Sequence, residues 1–498
     1  MPEHDPQFAR LKLPTIVRGA GIILACGDIG RTLGYAFTIL AAKIVGLRGL
    51  GLYTLGLTAL RAVAIGVPAG SSSPIVRYVS IYHATGDEAR LKGTVLFALK
   101  NTALLGLASA GAIFFLSDYL AVQIFHQPEL SSVLAYLSFS IPFVRVSSVL
   151  LRSTIGVHIM TFQAFTRDLL EPFVMMAVFL LLVLQGFGLQ ALIHAYLSSA
   201  ILGCVVAYYF FAKTFGHLIP SPFFPNQEAK LIKPISEPKV IGKFALPLLA
   251  SQIFTRLRRW GDVVLLGFFV SPSLVGLYTI VYKTVNALSE ISDSLIGVFN
   301  PMISASFEKG ALSTLKSQLQ IVSRWIFSLS FPMILYALFH AKAILSVLGT
   351  RFIGGERSLI ILLLGFSIQM TTAPNRQLLT MSGRSQITLV NTIGIGILNL
   401  VFFLLFIPPY GIDGASTAVA LSMLLMGLAT VIEGRAIFGM LPFTLSYLKP
   451  LIAAGVALSI TLWIDQGLPP NRFLLLGGSF AIFALCYLPK LVIRYPLI

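Results

Sequence analysis

Arg256, Arg258, Arg259 and Asp262 lie in one apolar stretch of the chain, and Lys283, Glu290 and Asp293 in the next. The short turn Ser271-Pro272-Ser273 joins the two. Each such charge near a bilayer centre costs roughly 2.5–3.5 kcal/mol on insertion scales, so a position against lipid is disfavoured. On a helix Thr279, Lys283, Asn286, Glu290 and Asp293 follow i, i+4, i+7, i+11 and i+14, one continuous polar stripe. Gln252, Arg256 and Arg259 do the same on the preceding helix. A polar stripe on an otherwise apolar spanning helix must face a wet cavity or a protein partner.

Other apolar stretches carry charges too. Asp28 and Arg31 are spaced i, i+3; Arg61 shares a face with Thr54 and Thr58; Arg145 has Ser138 and Arg152 seven residues to either side. Arg167, Asp168 and Glu171 open a further stretch. Arginine suits phosphate because its planar fork binds two oxygens and stays charged when buried. Deep basic residues outnumber deep acidic ones, which points to an anionic, phosphate-bearing ligand. The expected binding set is Arg31, Arg61, Arg145, Arg256, Arg259 and Lys283, with Asp28, Asp262, Glu290 and Asp293 available to couple a proton or sodium gradient. The plainer alternative is local pairing, Asp28 with Arg31, Arg259 with Asp262 and Lys283 with Glu290 or an acid of the preceding helix, which needs no ligand. Arg167 and Arg324 are expected to snorkel to the membrane surface. Tyr35, Tyr53, Tyr278, Tyr282 and Trp260 offer surfaces for a sugar, or else pack. The histidines are scattered, so neither a metal nor a proton relay is expected. There is no GxxxxGK[ST] loop and no nucleophile beside a base, so an enzyme and an organic cofactor are not expected.

The elements that position these charges follow from composition. Of 498 residues 56% are hydrophobic and 11% charged, and the mean hydropathy is +0.87. This is an all-α polytopic membrane protein. Continuous rather than alternating apolar runs exclude a β-barrel. Fourteen spans are expected: 18–42, 52–71, 93–116, 131–151, 159–185, 188–212, 243–270, 274–300, 319–340, 358–380, 385–407, 412–437, 447–465 and 472–492. The polar segment from Met1 to Lys12 has no cleavage site, so the first span is expected to act as its own insertion signal. Cys26, Cys204 and Cys486 fall inside spans as small hydrophobes. The net charge of +17 is spread through loops and forms no soluble basic domain, which argues against nucleic acid. Lys and Arg concentrate in the loops that share a side with the N-terminus, so both termini are expected to be cytoplasmic. The loop from Lys342 to Arg357 is discordant.

Lys213 to Lys243 is polar and Pro-rich and reads as a cytoplasmic linker. Gly51-Leu52-Tyr53-Thr54 recurs as Gly276-Leu277-Tyr278-Thr279, an offset of 225, and Phe187-Gly188-Leu189 is echoed by Tyr410-Gly411-Ile412, an offset of 223. The repeat is parallel, six helices per copy. The expected division is therefore an N-terminal lobe 1–212, a linker 213–242, a C-terminal lobe 243–440 and two further helices in 441–498.

The paired GLYT openings, Ser73-Pro74-Ile75-Val76-Arg77-Tyr78 followed by Gly86-Asp87, and Asp262-Val263-Val264-Leu265-Leu266-Gly267 resemble the polysaccharide-biosynthesis flippases of the multidrug/oligosaccharidyl-lipid/polysaccharide exporter superfamily. The resemblance implies a two-lobed transporter in a bacterial inner membrane. It would move an undecaprenyl-diphosphate-linked oligosaccharide between leaflets by alternating access, alongside polysaccharide polymerase and chain-length proteins. The related lipid II flippases use cavity arginines on helices 1, 2 and 8, where this chain has Arg31, Arg61 and Lys283; the lysine and the extra basic cluster on helix 7 depart from that pattern. Gly27, Gly30 and Gly34 are expected to let the first helix bend. An exporter of small organic cations and a non-transporting scaffold of a glycan-assembly complex remain as alternatives.

Overall fold

A long apolar run without water must satisfy each backbone N–H within its own segment, which makes it a helix. The structure, a computed structural model, describes residues 13–63, 72–219, 233–235, 260–443 and 445–465. The described residues form helices and turns with no strand among them. The chain divides into two compact units, Met1–Ile253 and Phe254–Ile498.

In the first unit α1 (Leu13–Ile44) leads directly into α2 (Gly46–Val63). Next come α3 (Ser72–Ala84), α4 (Glu88–Tyr119, prolonged by the π-helical Leu120–Ile124), α5 (Leu130–Ser138) and α6 (Ser140–Gly156). A second π-helical segment, Ala164–Leu170, feeds α7 (Glu171–Leu184), and α8 (Leu189–Phe215) follows. The run Ser71-Ser72-Ser73-Pro74 reads as a helix end; Ser71 lies outside the described residues and Ser72 is the first residue of α3. Pro74 sits in the first turn, where a missing N–H costs no intrahelical bond. α3 buries Ile75, Val79 and Tyr82 against Leu91 and Val95 of α4, Val149 and Leu150 of α6, and Phe211 and Phe215 of α8. Asp87 then caps α4 by accepting from the Arg90 N–H at 3.0 Å.

The second unit holds α9 (Trp260–Phe269), α10 (Pro272–Glu308), α11 (Leu312–Phe339), α12 (Ala341–Leu348), α13 (Glu356–Met381), α14 (Ser385–Phe438) and α15 (Leu448–Asp465). α14 contains two of the expected spans, broken at Gly411, where φ is +57° and ψ −125°. Phe299 and Ile303 of α10, Leu315 and Leu319 of α11, and Leu378 of α13 share one core. α13 and α14 touch at Gly365, where a Cβ would lie 2.6 Å from the Ala420 Cα. Helices in lipid gain little from excluding water, so such close approaches through small residues supply the packing.

Helices stand where the first thirteen spans are expected, within the described residues. The stretches 64–71 and 243–259, and the fourteenth span at 472–492, lie outside them. Among the described residues seven helices are long and apolar enough to cross a membrane, α14 among them. Phe115 and Leu184 are 84% and 85% exposed. Aromatic and aliphatic side chains so bare suit a hydrocarbon surround.

The internal repeat is written in the backbone. Gly86, His126, His158 and Gly186 have positive φ, and so do Gly310, Gly349, Gly383 and Gly411. Taken in order, the partners are 224, 223, 225 and 225 residues apart. Each pair marks the same break between successive helices. Gly186, rather than Gly188, is the counterpart of Gly411.

Candidate functional site

α1 places Asp28 and Arg31 on adjacent turns, and Arg31 Nη2 donates to Asp28 Oδ1 at 2.5 Å. Both side chains are exposed, at 48% for Arg31 and 62% for Asp28. The local pairing open at the sequence level is therefore present. Between them Gly30 meets the π-helical segment so closely that a Cβ would fall 1.4 Å from the Asp168 carbonyl oxygen. Arg31 and Arg167 both lie within electrostatic reach of the Asp168 carboxylate.

Arg167 does not snorkel. Its Nη2 donates to the Val144 carbonyl at 2.8 Å and its Nη1 to Glu171 at 3.3 Å. Two acceptors inside the bundle, one of them charged, hold the fork there. Arg152 of α6 is half-buried and within electrostatic reach of Arg167. A π-helical segment is a frequent feature of functional sites, and this one gathers Asp28, Arg31, Arg152, Arg167, Asp168 and Glu171. Of these only Asp28 and Arg31 belong to the expected site. The i, i+4 spacing of Arg167 and Glu171 was the available signal for the rest. Arg61 is exposed on α2, within electrostatic reach of Tyr53. Arg145 is half-buried on α6, its Cβ side facing Gly106 of α4.

In the second unit Asp262 is buried at 3% exposure. Tyr278 Oη donates to its Oδ2 at 2.9 Å, and the Val263 N–H donates to its Oδ1 at 2.8 Å. Tyr53 and Tyr278, the two GLYT tyrosines, are both buried, so neither offers a face to a sugar. Each closes the core of its own unit, and Tyr53 packs edge-on against Phe37 and Tyr196. α10 is one continuous helix from Pro272 to Glu308, so its polar stripe does share a face. Thr279 on it is buried, Lys283 half-buried and Asp293 exposed. Asp293 lies within electrostatic reach of Arg376 on α13, a residue absent from the expected set. Arg256 and Arg259 lie outside the described residues, as does the side chain of Glu290. Among the described residues no group of His, Cys, Asp and Glu could hold a metal.

Packed apolar helices bearing interior charges define a multi-pass membrane protein, and its fold is that of MOP-superfamily transporters. The lipid II flippase MurJ in an inward closed conformation matches with a TM-score of 0.76 at 15% identity, covering 95% of this chain and 98% of MurJ. An inward-facing multidrug resistance MATE transporter of the MOP superfamily matches at 0.62 and 13% identity, covering 84% of this chain and 98% of that one. A MOP superfamily transporter from Pyrococcus furiosus matches at 0.58 and 14% identity, covering 86% and 96%. Residues 16–307 match the family described as "Polysaccharide biosynthesis protein", and the chain belongs to that family. Stage V sporulation protein B of Bacillus subtilis (strain 168) is 24% identical over 136 residues, 27% of this chain. That match spans 26% of the sporulation protein, about a quarter of its length.

Proposed function

We propose that the protein is a flippase that carries an undecaprenyl-diphosphate-linked oligosaccharide from the inner to the outer leaflet of a bacterial inner membrane, for surface polysaccharide assembly. The observation that carries this reading is membership of a polysaccharide-biosynthesis family by a chain that shares its fold with a lipid II flippase over 95% of its length. Intramembrane cations support it. A diphosphate cannot cross hydrocarbon unaided, and Arg31, Arg61, Arg145, Lys283, Arg256 and Arg259 would supply its counter-charge while the prenyl tail stays in lipid. Arg31 would exchange its Asp28 partner for a phosphate oxygen as the headgroup enters. Rocking of the two lobes would then turn the wet cleft outward, as in other transporters built from repeats. Asp28, Asp262, Glu290 and Asp293 are the carboxylates proposed to couple this motion to a proton or sodium gradient. Polymerase and chain-length proteins would take the product, and both termini would be cytoplasmic.

The experiment is a leaflet-accessibility assay in proteoliposomes with a polyprenyl-diphosphate oligosaccharide. Wild-type protein is expected to move it, and Arg61→Ala or Lys283→Ala to slow it about tenfold or more, the worth of a charge-assisted hydrogen bond. Unchanged rates in both variants would remove the assignment. The MATE neighbours and buried Asp262 favour a second reading, export of organic cations. Under that reading Asp262→Asn abolishes drug resistance, whereas the arginine variants retain it.

A further inference from the structure

The polar stripe Arg145, Ser148 and Arg152 on α6 has a counterpart on α13: Gln369, Thr372 and Arg376, each 224 residues further on. That separation falls between those of the flanking helix breaks, 223 and 225. In the second unit the stripe lines a cavity. Gln369, Thr372 and Arg376 border it with Ser422, Met426 and Thr430 of α14, and it is partly open.

The cavity lining contains no carboxylate. Arg376 is half-buried, and among the described residues no acceptor hydrogen-bonds its guanidinium. Asp293 on α10 is within electrostatic reach of it but makes no hydrogen bond to it. A guanidinium withdrawn from bulk water without acceptors is costly, so its fork calls for oxygen atoms from outside the chain. The hydroxyls of Thr372, Ser422 and Thr430 now donate to carbonyls of their own helices and can rotate toward a guest. The Gln369 amide adds a fixed donor type. One cation, one amide and three hydroxyls without a carboxylate suit an oxyanion and repel a metal ion.

We propose that this cavity between α13 and α14 is a phosphate-binding site, with Arg376 gripping two oxygens and Gln369 and Thr372 completing the grip. The phosphate comes either from a free anion or from the head of a polyprenyl lipid. The site lies wholly within the second unit, and binding there is measurable whether or not the protein flips a lipid.

The test uses the full-length protein in detergent, titrated with inorganic phosphate, pyrophosphate and a polyprenyl phosphate in mixed micelles, each against chloride at equal ionic strength. Calorimetry and thermal melting are the readouts. Saturable binding is expected, weakened about tenfold or more in Arg376→Gln and less in Thr372→Val. Thr372→Val and Gln369→Leu are read independently should Arg376→Gln fail to fold. Binding of the polyprenyl phosphate alone upholds the site and assigns the lipid as its source; binding of the inorganic species upholds it with a free anion. Full-strength binding in all three variants, or no binding of any phosphate, overturns it.

Discussion

Asp262 has two donors, the Tyr278 hydroxyl and the Val263 N–H, and almost no contact with solvent. Tyr278→Phe removes one donor and leaves a buried carboxylate oxygen without its partner, at a cost of about 1–3 kcal/mol. The solubilised variant is expected to melt several degrees below wild type. Asp262→Asn keeps an acceptor oxygen for the Val263 N–H while its amide N–H can donate to the Tyr278 hydroxyl oxygen, so it should fall by less; a larger drop in the asparagine variant would contradict this account. At this scale the sequence disclosed residue types better than partners. Asp28 and Arg31 were legible as a pair because three residues on a helix share a face. Arg167 was misread because its place near a span's start suggests the membrane surface. The carbonyl that turns it inward belongs to Val144, 23 residues away, and no local pattern announces such a contact.

Gly30 marks where α1 meets the π-helical segment, and Gly34 one turn on has nothing within 4 Å of where a Cβ would stand. Gly30→Ala must push the two segments apart, with an expected loss of about 1–3 kcal/mol. Gly34→Ala should be neutral or slightly stabilising, since alanine is the better helix former. Melting curves of the two variants side by side check the contrast, and equal curves would refute it. A second contrast concerns the left-handed turns. His158 sits at φ +65° where its counterpart, Gly383, sits at φ +80°. A side chain there costs about 1 kcal/mol, so His158→Gly should stabilise and Gly383→Ala destabilise. Helix positions were readable from apolar runs of about 20 residues. α3 was not, because packing against α4, α6 and α8 shapes it more than any local periodicity does.

For the whole chain, composition settled the solvent before any motif was considered, and the loop charges carry a testable orientation. Reporter fusions at Gly86 and at Gln127 are expected to read cytoplasmic and external respectively. Matching signals from the two would place the chain's topology in error. The duplication was partly legible: one tetrapeptide repeats letter for letter, while other correspondences persist only as backbone turns. Glycine at Gly349 and Gly383 is histidine at His126 and His158, so side-chain identity had hidden them.

That the bends outlast the letters has an evolutionary consequence. A gene encoding some 225 residues, copied and fused end to end, would produce this spacing. Its ancestor would have been a polypeptide of about half this length. Fusion then freed each half to change alone, which is how one copy could keep Arg145 where the other carries Gln369.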